Sequence, residues 1–198
     1  DHLKWLWEME KVQWPEWVDD AVQPPPLERV GAGGLRLTYV NQSTVLIQLQ
    51  DLNILTDPFW SDRAGPLSWL GSKRIRKPGV ALEDLPHIDL ILISHDHYDH
   101  LDLPTMEVLW QRHKPLVLVG LGVKKRLDFI DPAKVVELDW WDEREVAAGV
   151  RVTFVPARPQ SGRGLLDTNR PPWGGYDLAR GGQGLLLLGA PVSGSFLW

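Results

Sequence analysis

The spacing of apolar and polar residues changes several times along this chain, and each change predicts an element. From Leu35 onward, LRLTYV, STVLIQL and LNILTDP are short runs rich in β-branched and aliphatic residues, separated by NQ and QD. They predict a meander of adjacent antiparallel strands. IDLILIS, residues 88–94, is almost continuously apolar, as in a strand covered on both faces. LPTMEVLWQRH reads as a helix with proline near its start, PLVLVG as another buried strand and GVKKRLDFI as a second helix. KVVELDWWDE, VRVTFVPA and QGLLLLGA supply further strands. Strands alternating with helices after an antiparallel opening indicate a layered α/β (α+β) domain.

Two segments lack this periodicity. Residues 3–18, LKWLWEMEKVQWPEWV, predict a short helix ending near Pro15, followed by QPPPLERVGAGG as a Pro/Gly linker. The chain therefore divides into an N-terminal helical segment with linker, residues 1–30, and a domain over residues 31–198. The tryptophans of the first segment pack onto the domain or, in the alternative, form a surface for lipid. Phe59 to Gly79 is a long loop containing KRIRK, either a solvated basic surface or a contact for an anionic substrate.

Composition narrows the partners. With 43% hydrophobic residues, 24% charged and a formal net charge of -5, the chain reads as a soluble globular protein with no electrostatic footprint for nucleic acid. The same mild acidity argues against strong attraction to an anionic membrane. There is no cysteine, so any metal must be held by nitrogen and oxygen. No apolar run is long enough to span a bilayer, and DHLKWLWEME lacks the pattern of a signal peptide. The expected location is cytoplasmic, with peripheral membrane association as the alternative.

The strongest chemical signal is ISHDHYDH, Ile93 to His100, which holds three of the chain's six histidines. H-x-H-x-D-H should arise by chance in only about one chain of this size in a few thousand. An extended backbone sends residues two apart to one face, so His95 and His97 can point together from the strand end. Asp99 and His100 follow in the turn, where the backbone can redirect them to an adjoining point. Imidazole and carboxylate suit zinc, with iron or manganese also compatible. Asp96 and Tyr98, the intervening residues, face away or support the turn, with Asp96 as an extra ligand the lesser alternative.

HDHYDH after an apolar strand resembles the metal motif of the metallo-β-lactamase superfamily. TVLIQL, ILTDPFWSDRAGPLSWLG, KRIRKPG, LEDLPHIDLILISHDHYDHLDLPT and the later SGRG and WGG are similar to the branch containing N-acylphosphatidylethanolamine-hydrolysing phospholipase D and related bacterial hydrolases. The resemblance implies an αββα sandwich, two zinc ions and hydrolysis by a metal-activated water. Carried over by position, His95 and His97 bind the first metal, Asp99 and His100 the second, and Asp99 orients the water or handles its proton. Asp57, in ILTDP, resembles a position close to the site, though a turn aspartate before Pro58 is the equal alternative. The implied substrate is a small-molecule or lipid phosphodiester.

The chain also departs from that pattern. Pro159 stands in VPARPQSGRG where the family carries a third histidine, Ala190 stands in LLGAPVSG where a bridging aspartate is expected, and Gln42 replaces a frequent histidine. The family's last metal histidine lies beyond Trp198. The resemblance therefore implies a partial sandwich, incomplete at its C-terminus, whose unpaired strand edge dimerisation could cover. The expected function is a phospholipase D-like metal-dependent hydrolase; the alternative is a degenerate member that acts as a binding module or is inactive. Arg163, Asn169, Arg170 and Trp173 lie in a loop resembling one near the family's active-site mouth or simply packing at the surface. His87 and His113 are expected to be ordinary surface or helix-end histidines, and Trp140 and Trp141 to serve packing.

Overall fold

The apolar run at residues 88–94 becomes the strand around which the fold is layered. The computed structural model describes residues 15–20, 23–31, 33–157, 173–180 and 183–187. Three antiparallel strands open it: β1 (Leu35–Asn41), β2 (Thr44–Leu49) and β3 (Leu52–Thr56). A short ribbon of β4 (Arg63–Ala64) and β5 (Ser72–Lys73) follows. The chain then returns to the sheet as β6 (Leu90–Ile93), parallel to β3. Helix α1 (Leu103–His113) leads to the parallel strands β7 (Leu116–Gly120) and β8 (Val135–Leu138), completing the order β1-β2-β3-β6-β7-β8. A second, antiparallel sheet contains β9 (Glu143–Ala147), β10 (Val150–Pro156), β11 (Gly174–Arg180) and β12 (Gln183–Leu187), in the order β12-β11-β10-β9.

Alternation along β6 explains the layers. Ile91 and Ile93 face one way, into a core with Leu55, Val117, Val119 and the α1 residues Met106 and Leu109. Leu90 and Leu92 face the other way, against Val152, Phe154, Tyr176 and Leu178 of the second sheet. All four β6 side chains are buried. At roughly 1.5–3 kcal/mol for each fully buried aliphatic side chain, both interfaces depend on this one strand. Tyr176 adds a polar tie: its hydroxyl lies 2.8 Å from the carbonyl of Ile93 and 3.0 Å from that of Leu118, and donates into this pair across the intersheet core. Burial, and secondarily the nearby charge of Asp57, hold the phenol pKa well above its usual value, so it remains a donor.

The structure differs from the sequence pattern at several places. GVKKRLDFI forms only a 3-10 turn at Lys124–Arg126; Val123, Leu127 and Ile130 all reach the core through successive turns, so burial is achieved without a helix. KVVELDWWDE is broken into β8 and β9 by a turn in which Trp141 takes φ 72°. Trp140 and Trp141 consequently remain exposed instead of packing. The long loop after Phe59 contains the β4–β5 ribbon, and its Arg74 turns inward to donate to the carbonyls of Phe59 and Ser61. Part of the expected linker is strapped to the sheet: Leu27 and Glu28 carbonyls accept from the Gln48 and Asn53 amides, and Arg29 pairs with Asp89. The expected N-terminal helix lies outside the described residues.

Helix α1 coincides with the predicted segment. Pro104 occupies its first turn, and Lys114 ends it at φ 51° with its N–H donating to Trp110. His113 is buried at this end, edge-on to His87 with ring centroids 5.5 Å apart. Burial, then the charge of Arg112, push its pKa down from 6.5 to about 4.

Tyr176→Phe should cost about 1–2 kcal/mol, read as a lower denaturant midpoint with an unchanged slope; an unchanged midpoint would show that the hydroxyl contributes nothing. The fold favours neutral His113, so its contribution is complete above pH 6.5 and lost as pH falls towards about 4. His113→Leu should therefore move the acid-unfolding midpoint, followed by circular dichroism, to lower pH.

Candidate metal centre

The site begins where two parallel strands end side by side. β3 delivers Asp57 and β6 delivers Ser94, and the Asp57 N–H donates to Leu92 at 2.9 Å. Asp57 sits at φ 35°, a left-handed conformation that aspartate adopts more readily than most residues. Its buried carboxylate accepts from the Ser94 N–H and the Ser94 hydroxyl, each at 2.7 Å, and from His100 Nδ1 at 2.9 Å. After β6 the motif folds into a turn, with the N–H groups of His100 and Leu101 both donating to the His97 carbonyl.

This arrangement sets the imidazole tautomers. A carboxylate can only accept, so the hydroxyl hydrogen of Ser94 goes to Asp57, and the Ser94 oxygen accepts from His95 Nδ1 at 2.9 Å. His100 likewise gives its Nδ1 hydrogen to Asp57. The His95 ring is left with a lone pair on Nε2, the form in which imidazole binds a metal, while His100 turns its Nε2 towards Asp99. Burial, followed by the neighbouring His100 and His97, pushes the His95 pKa down to about 2, so this ring stays neutral. At His100 burial opposes protonation, but the adjacent Asp57 outweighs it and Asp99 adds to the effect, raising the pKa.

Two pairs of donors result. His95 Nε2 and His97 Nδ1 are 3.0 Å apart, and His100 Nε2 and Asp99 Oδ2 are 3.5 Å apart. Two ligands of one tetrahedral zinc, at ordinary bond lengths, are separated by about 3.3 Å. Each pair therefore fits two positions around an ion, and the His95 and His100 rings stand 4.1 Å apart between the pairs. Among the described residues no group of three or more His, Asp or Glu side chains is arranged to hold an ion. The fit is thus to part of each coordination sphere.

Supporting contacts surround the pairs. Gln42, at φ 43° in the turn between β1 and β2, donates its amide N–H to Asp99 Oδ2 at 2.8 Å. Asp96 is buried and pairs with Arg126 at 3.3 Å, away from the donor pairs it interrupts in sequence. Asp102 accepts from the N–H groups of Trp60 and Ser61 and from the hydroxyls of Ser61 and Thr105, tying the turn to the start of the long loop. Trp173 accepts a hydrogen bond from Trp140 Nε1 at 3.0 Å through its carbonyl. Pro159, Arg163, Asn169, Arg170 and Ala190 lie outside the described residues. Sequence reasoning had no role for Ser94; its place between the strand and the first histidine was the available signal. Gln42 stands in the sequence where a histidine is frequent, and its contact with Asp99 arises only on folding.

Comparison with known proteins identifies the family and the fold. The family described as "Beta-lactamase superfamily domain" matches residues 52–190. The chain belongs to the metallo-β-lactamase superfamily, and its layered α/β fold is of that type. N-acyl-phosphatidylethanolamine-hydrolyzing phospholipase D 1 of Caenorhabditis elegans is 38% identical over 152 residues, covering 72% of this chain and 43% of that protein. An uncharacterized protein of Mycobacterium tuberculosis is 39% identical over 154 residues, covering 77% of this chain and 41% of that protein. The chain thus spans less than half the length of these relatives. Igni18, a metallo hydrolase from Ignicoccus hospitalis, is similar in structure with a TM-score of 0.56 and 21% identity, over 78% of this chain and 60% of that one. CmlA, a diiron β-hydroxylase from Streptomyces venezuelae, gives a TM-score of 0.56 at 23% identity, over 84% of this chain and 30% of that one. At these identities the structures speak for the fold alone. Among the described residues no helix is long and apolar enough to cross a membrane.

Removing the shared carboxylate should be costly, because the Ser94 and His100 donors would be left buried. Asp57→Ala is expected to lose roughly 3–5 kcal/mol in denaturant unfolding. Ser94→Ala, which keeps the Asp57–His100 contact, should lose only about 1–2 kcal/mol. Equal losses would contradict the central place given to Asp57.

Proposed function

We propose that the protein is a metal-dependent hydrolase of phosphodiester or related ester bonds, phospholipase D-like in its chemistry. The supporting observation is the pair of donor sets on one turn, His95 with His97 and His100 with Asp99, each spaced as neighbouring ligands of an ion. Zinc suits these nitrogen and oxygen donors, and iron is the second choice. A bound ion of this kind lowers the pKa of water towards neutrality and stabilises charge developing on substrate oxygens. His95 Nε2 and His97 Nδ1 would hold one ion, with His100 Nε2 and Asp99 holding the other. Asp99 is the candidate for orienting the attacking water and accepting its proton. Gln42 fixes one oxygen of that carboxylate, while Asp57 fixes the His100 ring from behind.

A cavity of about 340 Å³ adjoins Gln42 and is lined in part by Tyr39, Phe59, Lys73 and Arg74. Apolar rings beside cations suit an ester carrying a negative group, and the phospholipase D relatives of worm and yeast favour a phosphodiester. A second reading rests on a specific observation: no third donor joins either pair among the described residues, and the sequence has Pro159 and Ala190 at two expected ligand positions. It makes the chain a degenerate binding module.

Turnover separates the two. Zinc-loaded protein should hydrolyse bis(4-nitrophenyl) phosphate, a 4-nitrophenyl carboxylic ester or an N-acylphosphatidylethanolamine, with loss of roughly 100-fold or more in His97→Ala. Inactivity of metal-loaded protein on all three would sink the hydrolase reading and leave the binding module.

A further inference from the structure

The β4–β5 ribbon has exposed apolar side chains for which the proposed chemistry has no use. At its tip Trp69 is 69% exposed, and Leu67 and Leu70 are 49% and 45% exposed. The tip is held in shape. The Leu70 N–H donates to Leu67 at 3.0 Å, and Arg63 reaches across the ribbon to the Gly71 carbonyl at 2.9 Å. At its neck, a Cβ on Gly65 would meet the Leu70 carbonyl oxygen at 1.9 Å, and one on Gly71 would meet that of Ala64 at the same distance. Gly71 also takes φ 108°, so glycine permits both the close approach and the turn. Leu67, Trp69 and Leu70 are thus presented together by a fixed scaffold.

Charge is concentrated behind this tip. Residues 62–77 contain Arg63, Lys73, Arg74, Arg76 and Lys77 against Asp62, a formal net charge of +4. The whole chain carries -5, so the remaining residues carry -9. Arg74 turns inward and Arg76 is 3.5 Å from Asp20, but Lys73, Arg76 and Lys77 remain at the surface. Tryptophan and leucine at a tip, with lysines and arginine behind, suit the boundary between acyl chains and headgroups of an anionic membrane. The overall negative charge conceals this local complementarity.

The ribbon also shares cavities with residues that flank the candidate metal centre. On one side, Ser72 and Lys73 share a cavity with Gln42, the residue bound to Asp99. On the other, Pro66 and Leu67 share a cavity with Tyr98 and Leu101 of the histidine turn.

We propose that the β4–β5 ribbon is an interfacial anchor that inserts Leu67, Trp69 and Leu70 into an anionic lipid surface, bringing both neighbouring cavities to the membrane. Anchoring needs no metal; its service to a lipid substrate rests on the hydrolase reading above. The chain has no cysteine, so Ser68→Cys gives one site at the tip for an environment-sensitive dye. Its emission should shift to the blue on adding phosphatidylcholine vesicles containing phosphatidylglycerol, and less so on pure phosphatidylcholine or at high salt. In co-sedimentation, Trp69→Ser/Leu70→Ser should lose at least about tenfold in vesicle affinity, and Lys73→Glu/Lys77→Glu should lose the preference for anionic vesicles. Circular dichroism checks that both variants fold.

Unchanged vesicle affinity in Trp69→Ser/Leu70→Ser would overturn the anchor. So would a dye shift that follows protein concentration instead of lipid, which would assign the tip to a second copy of the chain. His97→Ala should still bind vesicles, supporting an anchor independent of chemistry. Hydrolysis of the soluble phosphodiester with unaltered vesicle binding by the tip variant would defeat the anchor and leave the hydrolase. Ribbon-dependent vesicle binding without turnover would support the anchor and defeat the hydrolase.

Discussion

The buried carboxylate of Asp57 is the constraint on which the candidate site depends. Parallel pairing of β3 and β6 places Asp57 beside Ser94, and the carboxylate's inability to donate determines where the neighbouring hydrogens go. Ser94 transmits that choice to His95, and His100 receives it directly. The Nε2 lone pair of His95 is therefore prepared before any ligand arrives, and the His100 ring is held with its Nε2 towards Asp99. Because the ordering groups sit at strand ends instead of in a free loop, their positions are inherited from the sheet.

That sheet is positioned by β6, whose alternating side chains supply both hydrophobic interfaces. The strand cannot shift by one residue without exchanging its two faces. Its terminal carbonyl at Ile93 also receives the Tyr176 hydroxyl, so the backbone entering the histidine turn is tied to the second sheet. Burial favours the uncharged His95 ring, and an uncharged ring is what coordination requires. The environment that buries the strand end thus also disfavours protonation of His95, the candidate ligand.

Much of this could be read from the chain, because periodicity and motif spacing are local properties. IDLILIS announced a strand covered on both faces, and LPTMEVLWQRH coincides with α1. GVKKRLDFI failed as a helix because three core contacts reproduced a helical spacing through short turns. Trp140 and Trp141 were misjudged because their hydrophobicity said nothing of the left-handed turn that carries them outward. The strand β11 went unpredicted, its glycines and polar residues diluting any periodic signal. Asp57 admitted two descriptions in sequence, and in the structure it both occupies a left-handed turn and touches His100. Ser94 and the Gln42–Asp99 contact depend on neighbours brought together by folding, which no local pattern records. A sum of charge over the chain likewise does not show that residues 62–77 are basic against an acidic remainder.

The central claim is that the turn from His95 to His100 presents metal ligands and not merely a hydrogen-bonded cap. Its most direct measurement is elemental analysis of the purified chain after dialysis against zinc and then metal-free buffer, with His95→Ala/His97→Ala treated in parallel. Retention of roughly one to two zinc ions per chain, with less in the double variant, is the predicted result. Zinc near zero in the unaltered chain, or equal zinc in both proteins, would contradict it.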